Sequence, residues 1–473
     1  MGRSPTDHYG REHLMAGIGF EISRLMQPRT YRGVLKAYGY AALISSGPWV
    51  LSMVSIAGLG LLLKGLGNFA NLDAFFVAIT HIFAFSLVAT GPVQLVIARY
   101  AADLLYAKDE AKIMPAVVGA LFLNLSLSAL VGLIFFGFFV PASTQFQLGA
   151  TAVLMCVSAI WTTSNFISAV KNYAAVVGCF ALGYSVSLIA AWGLGMYLAD
   201  AGAIIGFAIG QAVLLLSMLA VIQRRFGGAS TPDFAFLSYF LRHPALALCG
   251  LTYNLGIWID KPLHWWFSPH SRQVAGALYA SPLYDQATFL SFLSIAPGMA
   301  IFLLTVETSF AQHYADFFRH VVARGSLRKI IDSKLAMIES LRTALSRLIK
   351  FQGAITIGLI LGAERLLETL GLGSVQTLVF QFTLLGVCML VIFLALLTVL
   401  FYLDRIREAL VCCATFALIN LVLTLTGLMI DERWYGLGFT AAAGVAAVIA
   451  STMANKALRQ LDYHTFTSQP IYP

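Results

Sequence analysis

The stretch "KAYGYAALISSGPWVLSM", Lys36–Met53, decides how this chain is read. After its lysine it is almost wholly apolar, yet Ser-Ser and Gly-Pro sit at its centre. In a soluble helix that proline would remove a backbone donor and clash with the turn before it. In a bilayer, backbone groups freed by Gly or Pro are tolerated where protein or a watery cavity meets them. The stretch therefore reads as a membrane span with a bend inside it.

Composition agrees. Of the 473 residues, 59% are hydrophobic and 11% charged, with a mean hydropathy of +0.82. A soluble domain carries roughly a quarter charged residues, so this chain cannot cover its surface with polar groups. A spanning helix needs about 20 apolar residues. Twelve runs qualify: 37–63, 74–98, 113–140, 147–169, 173–198, 201–222, 244–262, 282–306, 351–371, 374–403, 408–430 and 434–455. With the N-terminus in the cytoplasm, only Lys64, Lys261, Arg272, Arg365 and Arg433 of the 30 Lys and Arg residues fall outside it. That is the bias expected of cytoplasmic loops. It also accounts for the net charge of +8 without nucleic acid, because the positive residues are spread over short loops.

The expected fold class is an all-α polytopic membrane protein. It has about twelve transmembrane helices in two six-helix lobes, with both termini cytoplasmic. Residues 1–36 are polar and mixed in charge, a cytoplasmic segment rather than a cleaved signal. The lobes are 37–222 and 244–455. They are joined by a linker at 223–243 that contains "QRRFGGASTPD", whose Gly-Gly, Ser and Pro favour a loop. Residues 307–350 form a cytoplasmic insertion in the second lobe, and 456–473 a cytoplasmic tail. Within the insertion, Leu327, Ile330, Ile331, Leu335, Ile338, Leu341, Leu345 and Leu348 recur at helical spacing among basic residues. Two readings stand side by side: a helix on the lipid surface, or a docking face for a partner through Leu335, Ile338 and Leu341.

No motif of metal, nucleotide or nucleophilic chemistry is present. "GLGLLLKGLG", Gly58–Gly67, lacks the order of a phosphate loop and ends a span. Cys156, Cys179, Cys249, Cys388, Cys412 and Cys413 all fall in apolar runs without a C-x-x-C pair, so neither a disulfide framework nor a zinc site is expected. No segment outside the membrane exceeds about 45 residues, too short for a nucleotide-binding domain. No cofactor and no catalytic residue is expected.

That leaves transport. Gly47-Pro48, Gly91-Pro92 and Pro297-Gly298 interrupt the first, second and eighth spans and point to helices that bend around a cavity. The bland reading is a kink used for packing. Ser45 and Ser46 could satisfy freed backbone groups, and Trp49 adds a flat aromatic face. His81 lies mid-span, as a packing group or a relay. Asp260 stands out because charge in a bilayer is expensive. Asn254, Trp258, His264, Trp265 and Trp266 surround it. The tryptophans read either as an interfacial belt or as platforms for sugar rings.

"MAGIGFEISRL" (Met15–Leu25) and "AYGYAALISSGPWVLS" (Ala37–Ser52) resemble the opening of the PelG family of Pel exopolysaccharide exporters. The likeness continues through "ARYAADLLYAKD" (Ala98–Asp109), "ETSFAQHYADFF" (Glu307–Phe318) and "QGAITIG" (Gln352–Gly358). The resemblance implies a MATE-like fold of the polysaccharide exporter superfamily in the bacterial inner membrane. It implies export of an N-acetylgalactosamine-rich polymer to the periplasm during biofilm matrix synthesis. It also implies partners: a cytosolic glycosyltransferase and inner-membrane scaffold proteins, one a cyclic-di-GMP receptor. Rival readings are a lipid-linked oligosaccharide flippase, a cation-coupled drug antiporter, a membrane glycosyltransferase, and a scaffold that anchors a synthase.

Overall fold

The computed structural model describes residues 47–65, 72–168, 173–227, 231–305, 310–323 and 325–467. Among the described residues the regular structure is helical apart from one short hairpin. Helices α1 (Gly47–Gly65), α2 (Asp73–Tyr106), α3 (Ile113–Phe139), α4 (Thr144–Ser168) and α5 (Tyr173–Phe226) come first. Next are α6 (Leu237–Arg242), α7 (Pro244–Trp258), α8 (Asp260–Phe267), strands β1 (Arg272–Ala275) and β2 (Leu278–Ala280), α9 (Pro282–Leu293) and α10 (Ile295–Thr305). The remainder is α11 (Ala311–Val322), α12 (Leu327–Leu361), α13 (Ala363–Thr369), α14 (Ser374–Tyr402), α15 (Ile406–Ile430), α16 (Leu437–Arg459) and α17 (Leu461–Thr467). Among the described residues, eight helices are long and apolar enough to cross a membrane.

Within the described residues the expected apolar runs fall mostly on helix, and the differences have physical causes. The fifth and sixth runs lie in α5, which turns at Ala199, where φ is +48° and the backbone leaves the helical region. The seventh divides into α7 and α8 at Ile259. Pro262 has no N–H for the Trp258 carbonyl one turn back. The eighth divides at Ser294, where Pro297 likewise leaves the Leu293 carbonyl without a helical donor.

Packing divides the chain into two compact bodies. The smaller holds α10, α11 and most of α12. Here one expectation is corrected. The amphipathic stretch and the ninth run are a single 35-residue helix, α12, not a separate helix lying on the lipid. Ile330, Lys334, Met337, Leu341, Ala344 and Leu348 are buried along it. Their alternating spacing of four and three is that of a helical packing seam. Leu341, expected on a docking face, belongs to this seam with 4% of its surface exposed, whereas Leu335 is 58% exposed. Ile338 is half-buried between them.

The larger body spans Trp49–Ser294 and Ile355–Pro473. One apolar core is built from α1 to α5 and receives Phe236 from the linker and Leu278 from β2. The described part of the linker is clamped rather than loose. The Asp233 amide donates to Pro115 O at 3.0 Å, and the Tyr239 hydroxyl donates to Asp103 at 3.1 Å. Burial, and to a lesser degree that carboxylate, raise the Tyr239 phenol above its ordinary pKa. α2 packs on α7 at Gly91. A Cβ there would lie 2.6 Å from Gly250 O, and one at Gly250 would lie 2.1 Å from Gly91 O. Gly91 thus marks a helix crossing, with Asn254 beside it bonded to Gly250 O at 2.9 Å. This is the packing reading of the Gly-Pro pair, and the cavity reading is withdrawn for Gly91.

The loop between α8 and α9 forms an antiparallel hairpin with Arg272 opposite Ala280. It clasps the first core. The Ala277 amide donates to Phe139 O at 2.8 Å, Arg272 pairs with Asp73, and Leu278 is fully buried. Gly276 makes the clasp possible, with φ at +54° and Phe139 O 2.2 Å from where a Cβ would stand.

Two measurements test these contacts. In detergent, Leu341→Ala should destabilise by about 2–5 kcal/mol as a core truncation, while Leu335→Ala should stay within about 0.5 kcal/mol. Thermal unfolding compares them, and equal losses would refute the buried seam. Gly276→Val should free the hairpin and speed hydrogen exchange at the Ala277 amide by about tenfold or more, since each tenfold reflects about 1.4 kcal/mol. Unchanged exchange would show that the hairpin is held elsewhere.

Candidate functional site

The site grows from the break between α7 and α8. Asp260 and Lys261 follow the break and are both buried, with side chains 1% and 9% exposed. Lys261 Nζ lies 3.1 Å from Asp260 Oδ2 and also donates to Ile257 O at 3.0 Å. The Tyr284 hydroxyl of α9 donates to the same carboxylate oxygen. Three rings wall the ammonium: Trp258 at 5.2 Å, Phe292 at 5.0 Å and Phe439 at 5.8 Å from their centroids. A buried charge is tolerated when it is paired and hydrogen-bonded, and both conditions hold.

His264, one turn on, stacks on Tyr284 with centroids 3.7 Å apart and meets Tyr435 edge-on at 4.4 Å. Its Nδ1 is buried with no hydrogen-bond partner among the described residues. Trp265 points into the protein, and its Nε1 donates to both oxygens of Asp285 at 3.0 and 3.1 Å. Asp285 also accepts from the Ser281 amide at 2.9 Å, tying the first turn of α9 to the indole. The other partner of Trp265 is His81 of α2, stacked at 4.0 Å with 21° between the ring planes. His81 Nδ1 meets Val77 O at 2.9 Å, and its Nε2 is buried without a partner among the described residues. Trp266 turns the other way. It is exposed, stacks near Phe85 and reaches Ala277 O at 3.4 Å.

A cavity of about 190 Å³ opens beside this chain of contacts. His81, Trp265 and Asp285 line it, with Phe76 and Tyr279, and the exposed Asp73–Arg272 pair stands at its mouth.

The expected pathway residues are therefore distributed unevenly. His81, Trp258, Asp260 and Trp265 join one connected cluster, while Trp266 sits at its rim. Gly91 and Asn254 mark the α2–α7 crossing, and Pro92 continues α2 without a break. Pro297 lies in α10, in the smaller body. Ser45 and Ser46 lie outside the described residues, and Gly47, Pro48 and Trp49 open the described part of α1. The sequence reading left out Tyr284, Asp285 and Tyr435. Asp285 carried a signal, a carboxylate one turn after "SP" at a span's start, but it resembles an ordinary helix cap.

This fold is that of membrane transporters of the MATE type. The Vibrio cholerae MATE transporter VcmN in its bent form matches with a TM-score of 0.60 at 14% identity, covering 91% of this chain and 99% of that one. An outward-facing multidrug resistance MATE family transporter of the MOP superfamily matches at 0.57 and 12%, covering 89% and 96%. A MOP superfamily transporter from Pyrococcus furiosus matches at 0.57 and 13%, again over 89% and 96%. The family model PelG, described as "Putative exopolysaccharide Exporter (EPS-E)", matches residues 15–466, and the chain belongs to that family. No curated protein matches the chain in sequence. It is a multi-pass membrane protein of an exporter family, not of a catalytic one.

The cluster makes a prediction. Asp260→Asn or Lys261→Met alone leaves one buried charge unpaired and should cost about 3–5 kcal/mol. The double substitution should recover most of the loss, read as the yield of monodisperse protein and its thermal midpoint. Additive losses in the double variant would show that the two side chains do not act as a pair.

Proposed function

We propose that this chain moves a Pel-type, N-acetylgalactosamine-rich exopolysaccharide from cytoplasm to periplasm across the bacterial inner membrane. The observation that carries this reading is the exporter-family match over residues 15–466. The two six-helix lobes, 37–222 and 244–455, would alternate access around the interior. Trp258, Trp265, His81 and Asp260 lie on the substrate path. The product serves biofilm matrix synthesis.

At Asp260 the antiporter reading finds no open carboxylate, because Lys261 and the Tyr284 hydroxyl already occupy it; Asp285, bonded to the neutral donors Trp265 Nε1 and the Ser281 amide, keeps that reading as the second one. The scaffold reading lacks a use for a polar, aromatic interior.

A cytosolic glycosyltransferase and inner-membrane scaffold proteins, including a cyclic-di-GMP receptor, complete the proposed complex. α12 offers them an outer face of Leu327, Ile331 and Leu335, all exposed, in place of the Leu335, Ile338 and Leu341 set.

Gene deletion with the synthase intact tests the reading. Polymer retained in the cytoplasm is expected, and normal secretion would overturn export. Absence of all polymer would favour the scaffold. Flux of labelled polymer into proteoliposomes holding the purified chain, with and without an ion gradient, separates export from a need for partners.

A further inference from the structure

α12 carries two apolar stripes, and packing accounts for one of them. The buried seam runs from Ile330 to Leu348. The second stripe consists of Ile331, Leu335, Ile338, Leu345 and Ile349, with Arg342 within it. Its steps of four and three residues are again those of a helix-packing seam. Ile331, Leu335 and Ile349 are 41%, 58% and 47% exposed, and Arg342 reaches solvent beside Glu339 at 3.2 Å. A helix that rests on lipid lies in the plane of the bilayer. α12 instead continues as one helix into the ninth apolar run, so lipid does not account for this stripe.

The beginning of the chain fits it. Residues 1–46 lie outside the described residues. Gly47 and Pro48, where the described part begins, belong to the smaller body with α10, α11 and most of α12. The preceding chain therefore joins the structure at the body that bears the stripe. In it, Met15, Ile18, Ile22 and Leu25 recur at steps of three, four and three, and Pro28 stops a helix after them. Eight apolar runs separate this segment from the amphipathic part of α12, an even number, so the span count places both on one side of the membrane. Each then runs toward its own span, residues 37–63 and 351–371, which makes the two parallel. Laid alongside in that direction, Met15 levels with Leu335, Ile18 with Ile338, Ile22 with Arg342 and Leu25 with Leu345. Glu21 takes the flanking position beside the Arg342 guanidinium. Residues 27–36 can extend to about 35 Å, which leaves the segment free to reach α12.

We infer that residues 15–26 dock as a helix on this second stripe of α12, through those apolar layers and through Glu21 against Arg342. Gly17 and Gly19 weaken such a helix, and its length leaves it marginal alone. It forms on the surface that buries it. The inference stands apart from the export reading. It makes the segment a competitor for any partner that uses Leu335.

Paired cysteines in the purified full-length chain in detergent test the docking. Ile18→Cys with Ile338→Cys should join within one chain under copper-catalysed air oxidation. The rate should be about tenfold or more above that of Ile18→Cys with Ala336→Cys, which lies on another face of α12. Peptide mass reads the link. Arg342→Glu should slow the joining several-fold, and Glu21→Arg in the same chain should restore it. A link between position 338 of two chains assigns the stripe to a second copy and overturns the docking. Equal rates for the two pairs, or a rate indifferent to both charge changes, overturn it as well. Hydrogen exchange guards against a cysteine pair that misfolds. In the chain without cysteine substitutions, the amides of residues 18–25 should exchange several-fold more slowly than in Arg342→Glu, and equal exchange refutes the contact.

Discussion

An ion pair between chain neighbours, Asp260 and Lys261, holds the polar interior of the larger body together. Adjacent residues on a regular helix do not face each other. Here Lys261 folds back to the Ile257 carbonyl, beside the break that Pro262 imposes, and reaches the carboxylate from there. Once both charges are buried, each needs further partners. Tyr284 of α9 supplies one, and the rings of α7, α9 and α16 supply the rest. From Tyr284 the next residue, Asp285, holds Trp265, and Trp265 stacks on His81 of α2. A contiguous path of packed and hydrogen-bonded groups therefore runs from α16 to α2. A shift at the ion pair has a physical route to the cavity wall.

Hydropathy made the spans legible because the bilayer imposes one length and one polarity on every crossing. It could not register that the amphipathic 326–350 stretch and the ninth run are one helix, since α12 changes partners along its length but not its backbone geometry. The seam of Ile330, Lys334, Met337, Leu341, Ala344 and Leu348 even includes a lysine, which a hydrophobicity count passes over. The hairpin at 272–280 was invisible for a different reason. Seven strand residues lie in a loop whose reading stopped at its length, and the turn depends on one positive φ at Gly276.

The site was half legible. Asp260 stood out because charge in a span is rare, and the tryptophans stood out by number. Their roles did not follow from type. Trp265 and Trp266 are neighbours, yet one donates to a buried carboxylate and the other lies exposed at the hairpin. Helical geometry separates consecutive side chains by about 100°, so one faces the cluster and the next faces out. Gly91 misled in the opposite direction, because a glycine that admits a cavity and a glycine that admits another helix look alike in sequence. Structures at 12–14% identity share the fold, and fold alone does not choose the cargo.

The two ends of α2 are held by different elements. At its start, Asp73 meets Arg272, and the hairpin that carries Arg272 adds a backbone hydrogen bond to Phe139 and a fully buried Leu278. At its other end, Arg99 bridges Asp103 and Asp404 at 3.3 and 3.4 Å, with every side chain substantially exposed. Asp404 is itself left-handed, at φ +56°, in the turn between α14 and α15. An exposed pair of that kind contributes about 0–1 kcal/mol. Burial of one Leu side chain alone contributes about 1.5–3 kcal/mol. The contacts of α2 with the α8–α9 loop are therefore costlier to separate than those with the α14–α15 turn, while the linker adds the Tyr239–Asp103 bond and the buried Phe236 at the latter end.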